Sequence, residues 1–457
     1  MTRIQNLLIS AIREIRVLIL VGAFSVSAAE VSFKRDLAPI LIQQCQICHE
    51  AKKAKGGYRV DTFERLMRAG DGGEPGITPG KLDASELFYR LTTNDPDERM
   101  PQDADPLPPA QIALFKQWIV AGAKLDAPNP KAQLTSLVPP PAHSDPPKAY
   151  PRSIPITALA FGADGETLFA SGYHEVTVWN AAEGKLIRRI MREGERTYGL
   201  SVSPNGQWLA AASGQPGRLG EVRLFKTADG KLDSVLATAT DVMLDVAFSP
   251  KGDRLVAGGA DGEVRVIDFA SRKVTQQLPL HSDWVNAVAW DNNGSRIATA
   301  SRDHTAKVYS LAAGKSLATY AGHGKNVRGV AFHPKSVNEV FTSGMDKKLR
   351  QWKVSDNKTV REIGIGGELF KLARAGEAIF VPAADHHIRR FQTPGQPKQT
   401  GDYQLDDWAV SVAISPDGKR LAAGGFDGKV RLWNLEDGKV ESTFTALPGF
   451  KQATEDH

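Results

Sequence analysis

The tract Cys45-Gln46-Ile47-Cys48-His49 places the chain's two cysteines three residues apart, with a histidine directly after the second. On a helical turn, positions i and i+3 share a face. Both thiols can then add to the two vinyl groups of one porphyrin, while the His49 imidazole reaches the iron from below the ring. C-x-x-C-H is the attachment signature of c-type haem, so the expectation is one covalent haem c on Cys45 and Cys48, with His49 as an axial ligand. A zinc site would need a second ligand pair, and the chain has no other cysteine. A thioredoxin-type dithiol expects a βαβ context, which does not surround this tract. Two thiols this close in so long a chain also rule out a disulfide framework.

A sixth iron ligand must come from elsewhere. Met67 and Met100 are the methionines between His49 and a proline-rich stretch further on. Met67 lies in Asp61–Ala69, which reads as a helix with Asp61 at the N-cap, Glu64 at the capping-box position and Gly70 as the stop. Its apolar positions Phe63, Leu66 and Met67 read as core. Met100 lies in Glu98-Arg99-Met100-Pro101, on a loop from which a thioether can swing onto a metal. Methionine opposite histidine raises the reduction potential and suits electron transfer. Met100 is therefore the expected second axial ligand, with a five-coordinate iron as the open alternative.

The elements that must position these residues are short helices. Asp36–Gln44 reads as an apolar-faced helix with Pro39 near its first turn, leading straight into Cys45. Ser85 is placed to cap a helix over Glu86–Thr92. Pro108–Ala121 reads as a final helix, with Ile112, Phe115, Trp118 and Ile119 at helical spacing and Gly122 after it. These segments resemble a planctomycete-type cytochrome c domain over residues 32–124. The resemblance is carried by Asp36–Leu41, Cys45–His49, Gly56-Gly57, Gly70–Gly76, Thr78-Pro79-Gly80, Ser85-Glu86-Leu87, Arg99-Met100-Pro101 and Trp118–Ala123. It implies haem on Cys45 and Cys48 with His49 axial, and it carries the sixth ligand onto Met100 through the Met-Pro step.

Residues 1–29 combine a basic stretch ending at Arg16, an apolar run Val17–Val26 and the small residues Ser27, Ala28 and Ala29. That is the layout of a secretory signal peptide. The uncharged run of Val17–Ala29 is shorter than the roughly 17–25 residues of a spanning helix. The expected destination is the periplasm or another exported location, with no membrane span in the mature chain. The 457 residues carry 57 basic and 52 acidic groups. Arg3, Arg13 and Arg16 against Glu14 supply part of that small excess, so nucleic-acid binding is not expected. With 41% hydrophobic and 24% charged residues, the composition is that of globular domains rather than of a disordered or polytopic membrane chain.

Residues 30–127 are thus expected to form the haem domain. Nine prolines fall within residues 128–155, a density that reads as a stiff extended spacer, with His143 as a solvated residue in it. From Ile156 onward short alternating apolar runs take over. Val246–Gly252 (VAFSPKG) recurs as Val412–Gly418 (VAISPDG). Units close on Trp179, Phe225, Ile267, Tyr309, Trp352, Phe391 and Trp433, spaced by 46, 42, 42, 43, 39 and 42 residues. Six residues earlier stand Asp261, Asp303, Asp346, Asp385 and Asp427, whereas the first two units have Tyr173 and Leu219. These residues resemble WD repeats, whose period is roughly 40–45 residues with four strands each. The resemblance implies a seven-bladed WD40-type β-propeller over residues 156–457, following a small all-α cytochrome c domain. It also implies a structural role for His281 and His323, bonded to turn aspartates. The last outer strand is expected from Lys439–Phe444.

The repeats contain no nucleophile–base set and no phosphate loop. The expectation is therefore an exported electron-transfer protein whose propeller docks a redox partner protein or envelope enzyme complex, more a binding protein than an enzyme. Lys52, Lys53 and Lys55 form a candidate docking patch. The alternatives are a periplasmic oxidoreductase with a second site in the propeller, for which His386-His387 is the eye-catching pair, and a haem-based sensor with an open iron site.

Overall fold

The computed structural model describes residues 31–46, 48–50, 53–102, 105–138, 143–393 and 397–451. The expected export signal, Lys52 and the stretch 139–142 lie outside the described residues. The chain divides into two compact units, residues 1–139 and 140–457. Among the described residues no helix is long and apolar enough to cross a membrane.

The first unit is helical. A π-type turn, Phe33–Leu37, runs into α1 (Ala38–Gln44), followed by α2 (Phe63–Leu66), α3 (Glu86–Thr92), α4 (Pro109–Val120) and α5 (Leu134–Leu137). Its core gathers Phe33, Leu37, Ile40 and Leu41 with Leu87 and Leu91 of α3 and Phe115, Trp118 and Ile119 of α4. The Phe33 and Trp118 rings lie 5.3 Å apart, centroid to centroid. The spacing read for α4 is therefore its buried face, and Gly122, at φ 96°, ends that helix in a conformation that favours glycine.

α2 is shorter than the sequence suggests. Its N-cap is Thr62, whose hydroxyl accepts from the Arg65 amide at 3.2 Å. Asp61 is drawn instead into a bidentate pair with Arg59 at 2.9 and 2.6 Å. Ser85 stands at the N-cap of α3, but its hydroxyl accepts from the Thr78 amide at 2.9 Å and donates to the Lys81 carbonyl at 2.7 Å.

Among the described residues the second unit is all β, in six antiparallel sheets whose strands follow chain order. Five sheets have four strands each, over residues 243–278, 285–320, 327–364, 373–404 and 409–445. The first sheet departs from the expected separate four-stranded units. It has seven strands: β1 (Leu159–Phe161), β2 (Thr167–Ser171), β3 (Tyr173–Asn180), β4 (Lys185–Val202), β5 (Trp208–Gln215), β6 (Leu219–Lys226) and β7 (Leu232–Ala239). The cause is β4, which runs 18 residues. It pairs with β3 mainly through Lys185–Met191 and with β5 through Arg196–Val202, joining two repeats into one sheet.

All seven closing residues are buried, 0–8% exposed, and each lies on the third strand of its repeat. The outer strand of the last sheet, Val440–Thr445, comes from the C-terminal side as expected. The first and last repeats meet: the Ile156 amide donates to the Gly425 carbonyl at 3.2 Å, and the Ser411 hydroxyl donates to the Ile156 carbonyl at 2.5 Å.

The turn aspartates are structural. Asp261, Asp346, Asp385 and Asp427 each pair with the arginine four residues on. His281 bridges Asp303 (2.8 Å) and Thr299 (2.7 Å), and His323 bridges Asp346 (3.0 Å) and Thr342 (2.8 Å). Burial works against the charge on Asp303, but the Thr305 hydroxyl and His281 hold its pKa at about 2. A carboxyl depressed in the folded state contributes stability above its unfolded pKa and loses it as pH falls from about 4 towards 2. Asp303→Ala is expected to cost about 2 kcal/mol at pH 7. Urea unfolding should show the gap to the parent narrowing over that pH window, and a pH-independent gap would contradict the assignment.

Candidate functional site

The candidate site is built at the end of α1. The Cys45 amide donates to the Leu41 carbonyl at 3.1 Å. The Cys45 carbonyl in turn accepts from the Cys48 amide at 3.2 Å and the His49 amide at 3.1 Å. One turn therefore gathers both thiols and the imidazole, as the spacing requires. The chain then folds back: the Lys55 amide donates to the Cys48 carbonyl at 3.2 Å and the Val60 amide to the His49 carbonyl at 2.8 Å.

That return places the Tyr58 carbonyl 3.2 Å from His49 Nδ1. A carbonyl can only accept, so the ring hydrogen sits on Nδ1 and the Nε2 lone pair is left for a metal. The Tyr58 ring meets the imidazole edge-on, with centroids 5.8 Å apart, and its hydroxyl donates to the Leu66 carbonyl at 2.7 Å. Tyr58 was not singled out from sequence, because no spacing rule marks it. The nearby glycines are its trace: a Cβ on Gly76 would lie 2.2 Å from the Tyr58 hydroxyl, and one on Gly70 would lie 2.5 Å from the Gly56 carbonyl oxygen.

Cys45 packs against the apolar core of the unit. Burial, with a smaller contribution from Cys48, pushes its thiol up to about 12. A reactive C-x-x-C pair needs the opposite shift, so the surroundings of Cys45 do not suit the thiolate of a cycling dithiol.

Met100 sits on a separate loop tied to α3. Its amide donates to the Arg90 carbonyl at 2.8 Å, and the Arg99 amide donates to the Asp95 carbonyl at 2.8 Å. α3 buries Leu87 and Leu91 in the same core as Ile40 and Leu41 of α1. Met67, at the end of α2, is half-buried and packs on that core, as expected of a core side chain. Lys53 and Lys55 are exposed.

In the β unit, His387 lies 2.8 Å from Asp402 through Nδ1. His386 occupies a turn at φ 72°. Among the described residues there is no group of three or more His, Cys, Asp or Glu that could hold a metal ion. His143 is the clear correction to the sequence reading: it is not solvated. Its side chain is 9% exposed, and its Nε2 lies 2.5 Å from Glu221 Oε2.

Comparison with known proteins agrees with these two regions. Residues 45–103 match the Planctomycete cytochrome C family. Residues 230–268, 272–310, 314–353 and 396–434 match the WD domain, G-beta repeat. Each repeat match ends one residue after a closing residue, which fixes the register independently. The chain thus joins a cytochrome c-type segment to WD repeats.

Three relatives each match over 22–28% of this chain. Autophagy-related protein 16 of Arabidopsis thaliana is 31% identical over 22% of this chain and 22% of its own length. An uncharacterized WD repeat-containing protein of Synechocystis is 26% identical over 22% of this chain and 28% of its own. Mitochondrial division protein 1 of Malassezia globosa is 29% identical over 28% of this chain and 20% of its own. The chain spans less than a third of the length of these relatives.

Proposed function

We propose that this chain is an exported electron-transfer protein with one covalent haem c and a protein-docking β unit. The observation that carries the haem reading is the His49 ring, held through Nδ1 on the Tyr58 carbonyl so that Nε2 keeps its lone pair, on the same turn as two thiols. The donor set fits the group. Cys45 and Cys48 would hold it covalently, and His49 and Met100 would ligate its iron. Arg99 Nε, buried and without a hydrogen-bond partner among the described residues, is the kind of donor a haem carboxylate would take. Bound there, the iron would supply a one-electron Fe(II)/Fe(III) couple. The chain's own part is to fix the imidazole tautomer, to surround the attachment turn with apolar side chains, and to present Met100 from a loop braced on α3.

For the β unit the reading is a closed seven-bladed propeller, residues 156–457, acting as an interaction platform. It is supported by seven buried closing residues and by the Ile156 contacts with Gly425 and Ser411, with β4 serving two adjacent blades at once. WD repeats imply protein–protein interaction, and a redox partner or envelope enzyme complex is the occupant this architecture suits. The proposed location is the periplasm, reached through residues 1–29.

The test is expression with the native leader in a host that matures c-type cytochromes. The envelope fraction is then separated and extracted with acid–organic solvent. The expected result is one iron per chain and haem that stays on the polypeptide. Haem that extracts freely, or protein without iron, would overturn the reading.

A further inference from the structure

Repeats one and two lack the ties that fasten the turns of the others. Tyr173 and Leu219 replace the turn aspartate, and in repeat one Thr177 stands where Arg265, Arg350, Arg389 and Arg431 stand. Both carry a glutamate four residues before the closing residue, Glu175 before Trp179 and Glu221 before Phe225; repeat three has Glu263 there too, but beside its turn aspartate and 19% exposed. The Glu175 and Glu221 side chains are fully buried. Buried carboxylates are costly unless paired.

In each case a residue of 143–150 supplies a partner. The Tyr150 hydroxyl donates to Glu175 Oε1 at 2.7 Å, and His143 Nε2 lies 2.5 Å from Glu221 Oε2. In repeat one the missing arginine comes from the neighbouring strand. Arg189, opposite Thr177 in the β3–β4 ladder, holds Glu175 at 2.8 Å and donates to the Pro147 carbonyl at 2.6 Å. In repeat two Arg223 is shared between Glu193 (3.4 Å) and Glu221 (3.5 Å).

The β unit also leaves room for this segment. A Cβ on Gly172 would lie 2.6 Å from Glu175 Cγ and 2.7 Å from the Tyr150 hydroxyl, crowding that pair, and one on Gly449 would lie 2.7 Å from Ala149 Cβ. At the position of Gly172 the third to seventh repeats carry Ala260, Arg302, Met345, Ala384 and Phe426.

We propose that residues 143–150 are a releasable strap. Closed, it completes repeats one and two and fastens the connector to the β unit. Open, it hands Glu175 and Glu221 to water and frees the connector up to Ile154, which packs on the core of the first and last repeats. The strap has no regular secondary structure, and Ser144, Asp145, Lys148 and Ala149 are exposed. Among the described residues its backbone-to-backbone bond is Tyr150 amide to Pro448 carbonyl, at 3.3 Å. Its outer ion pair, Asp145 with Arg192, is solvent-exposed and of the kind that contributes little. It is therefore held by a few side-chain anchors over a sheet held by ladders, the condition for local opening below the global unfolding free energy.

The experiment uses the full chain, digested with trypsin under native conditions, with cleavage after Lys148 followed by mass spectrometry. His143→Gln and Gly172→Ala should each speed that cleavage by about tenfold, with the β circular dichroism and cleavage at other β-unit sites unchanged. Tyr150→Phe keeps the ring packing, removes only the hydroxyl, and should move the same site in the same direction. Cleavage after Lys148 within about twofold of the parent in all three, or cleavage rising in parallel at every β-unit site, would overturn the strap as a separate opening element.

Discussion

Replacing Cys45 and Cys48 together with serine is expected to yield a chain from which acid–organic solvent removes all of the haem, while the parent retains it. A serine hydroxyl cannot form the thioether, whereas His49 keeps its place on the turn through amide bonds that serine does not disturb. Each single variant keeps one thioether and should retain haem, with an altered absorption spectrum. The competing chemistry for two thiols at this spacing is a reversible disulfide, which needs a thiolate at neutral pH. Burial pushes the Cys45 thiol the other way. A colourless parent protein that cycles between dithiol and disulfide would decide for that chemistry and against haem attachment.

The turn that carries Cys45, Cys48 and His49 was legible because the proposed chemistry needs residue types at fixed local spacing, and local spacing survives whatever the rest of the chain does. The same holds for the closing residues of the repeats, whose period is set by the length of a four-stranded unit. What escaped were contacts that no fixed local spacing dictates. Tyr58 matters to His49 through a backbone carbonyl, which every residue has, so its identity carries no signal. Asp61 has the pattern of an N-cap, yet Arg59 two residues earlier pairs with it and Thr62 takes the cap.

His143 shows the strongest tertiary override. In a stretch dense in proline it reads as solvated, and only its partner Glu221, 78 residues on, makes it buried. The trace of that partner was present as a departure: Tyr173 and Leu219 broke the aspartate pattern in just the two repeats that the segment 143–150 completes. The joining of those repeats was not legible either, because the β4 tract Lys185–Val202 contains no proline and only two glycines, Gly194 and Gly199, and both are accommodated within the strand.

The largest effect expected of a single side chain concerns Met100. A thioether opposite histidine favours the reduced iron, so Met100→Ala should lower the reduction potential and leave a position to which carbon monoxide binds readily in the reduced protein. The parent should bind it poorly. The loop works in the opposite electrostatic sense, since Asp95, Asp97 and Asp105 are exposed on it and favour the oxidised iron. Their influence is small, because exposed charges are screened within roughly 8–10 Å at ordinary ionic strength, and Glu98 is engaged by the Tyr89 hydroxyl at 2.5 Å. Ligand identity should therefore win. Met67→Ala is the control. Its side chain is half-buried against the core, so its loss should cost about 1–2 kcal/mol of stability, below the ~2–5 kcal/mol of a fully buried methionine, and leave carbon monoxide binding unchanged. Carbon monoxide binding as fast in the parent as in Met100→Ala would remove Met100 from the iron and leave a five-coordinate site, the arrangement of a sensor and not of an electron carrier.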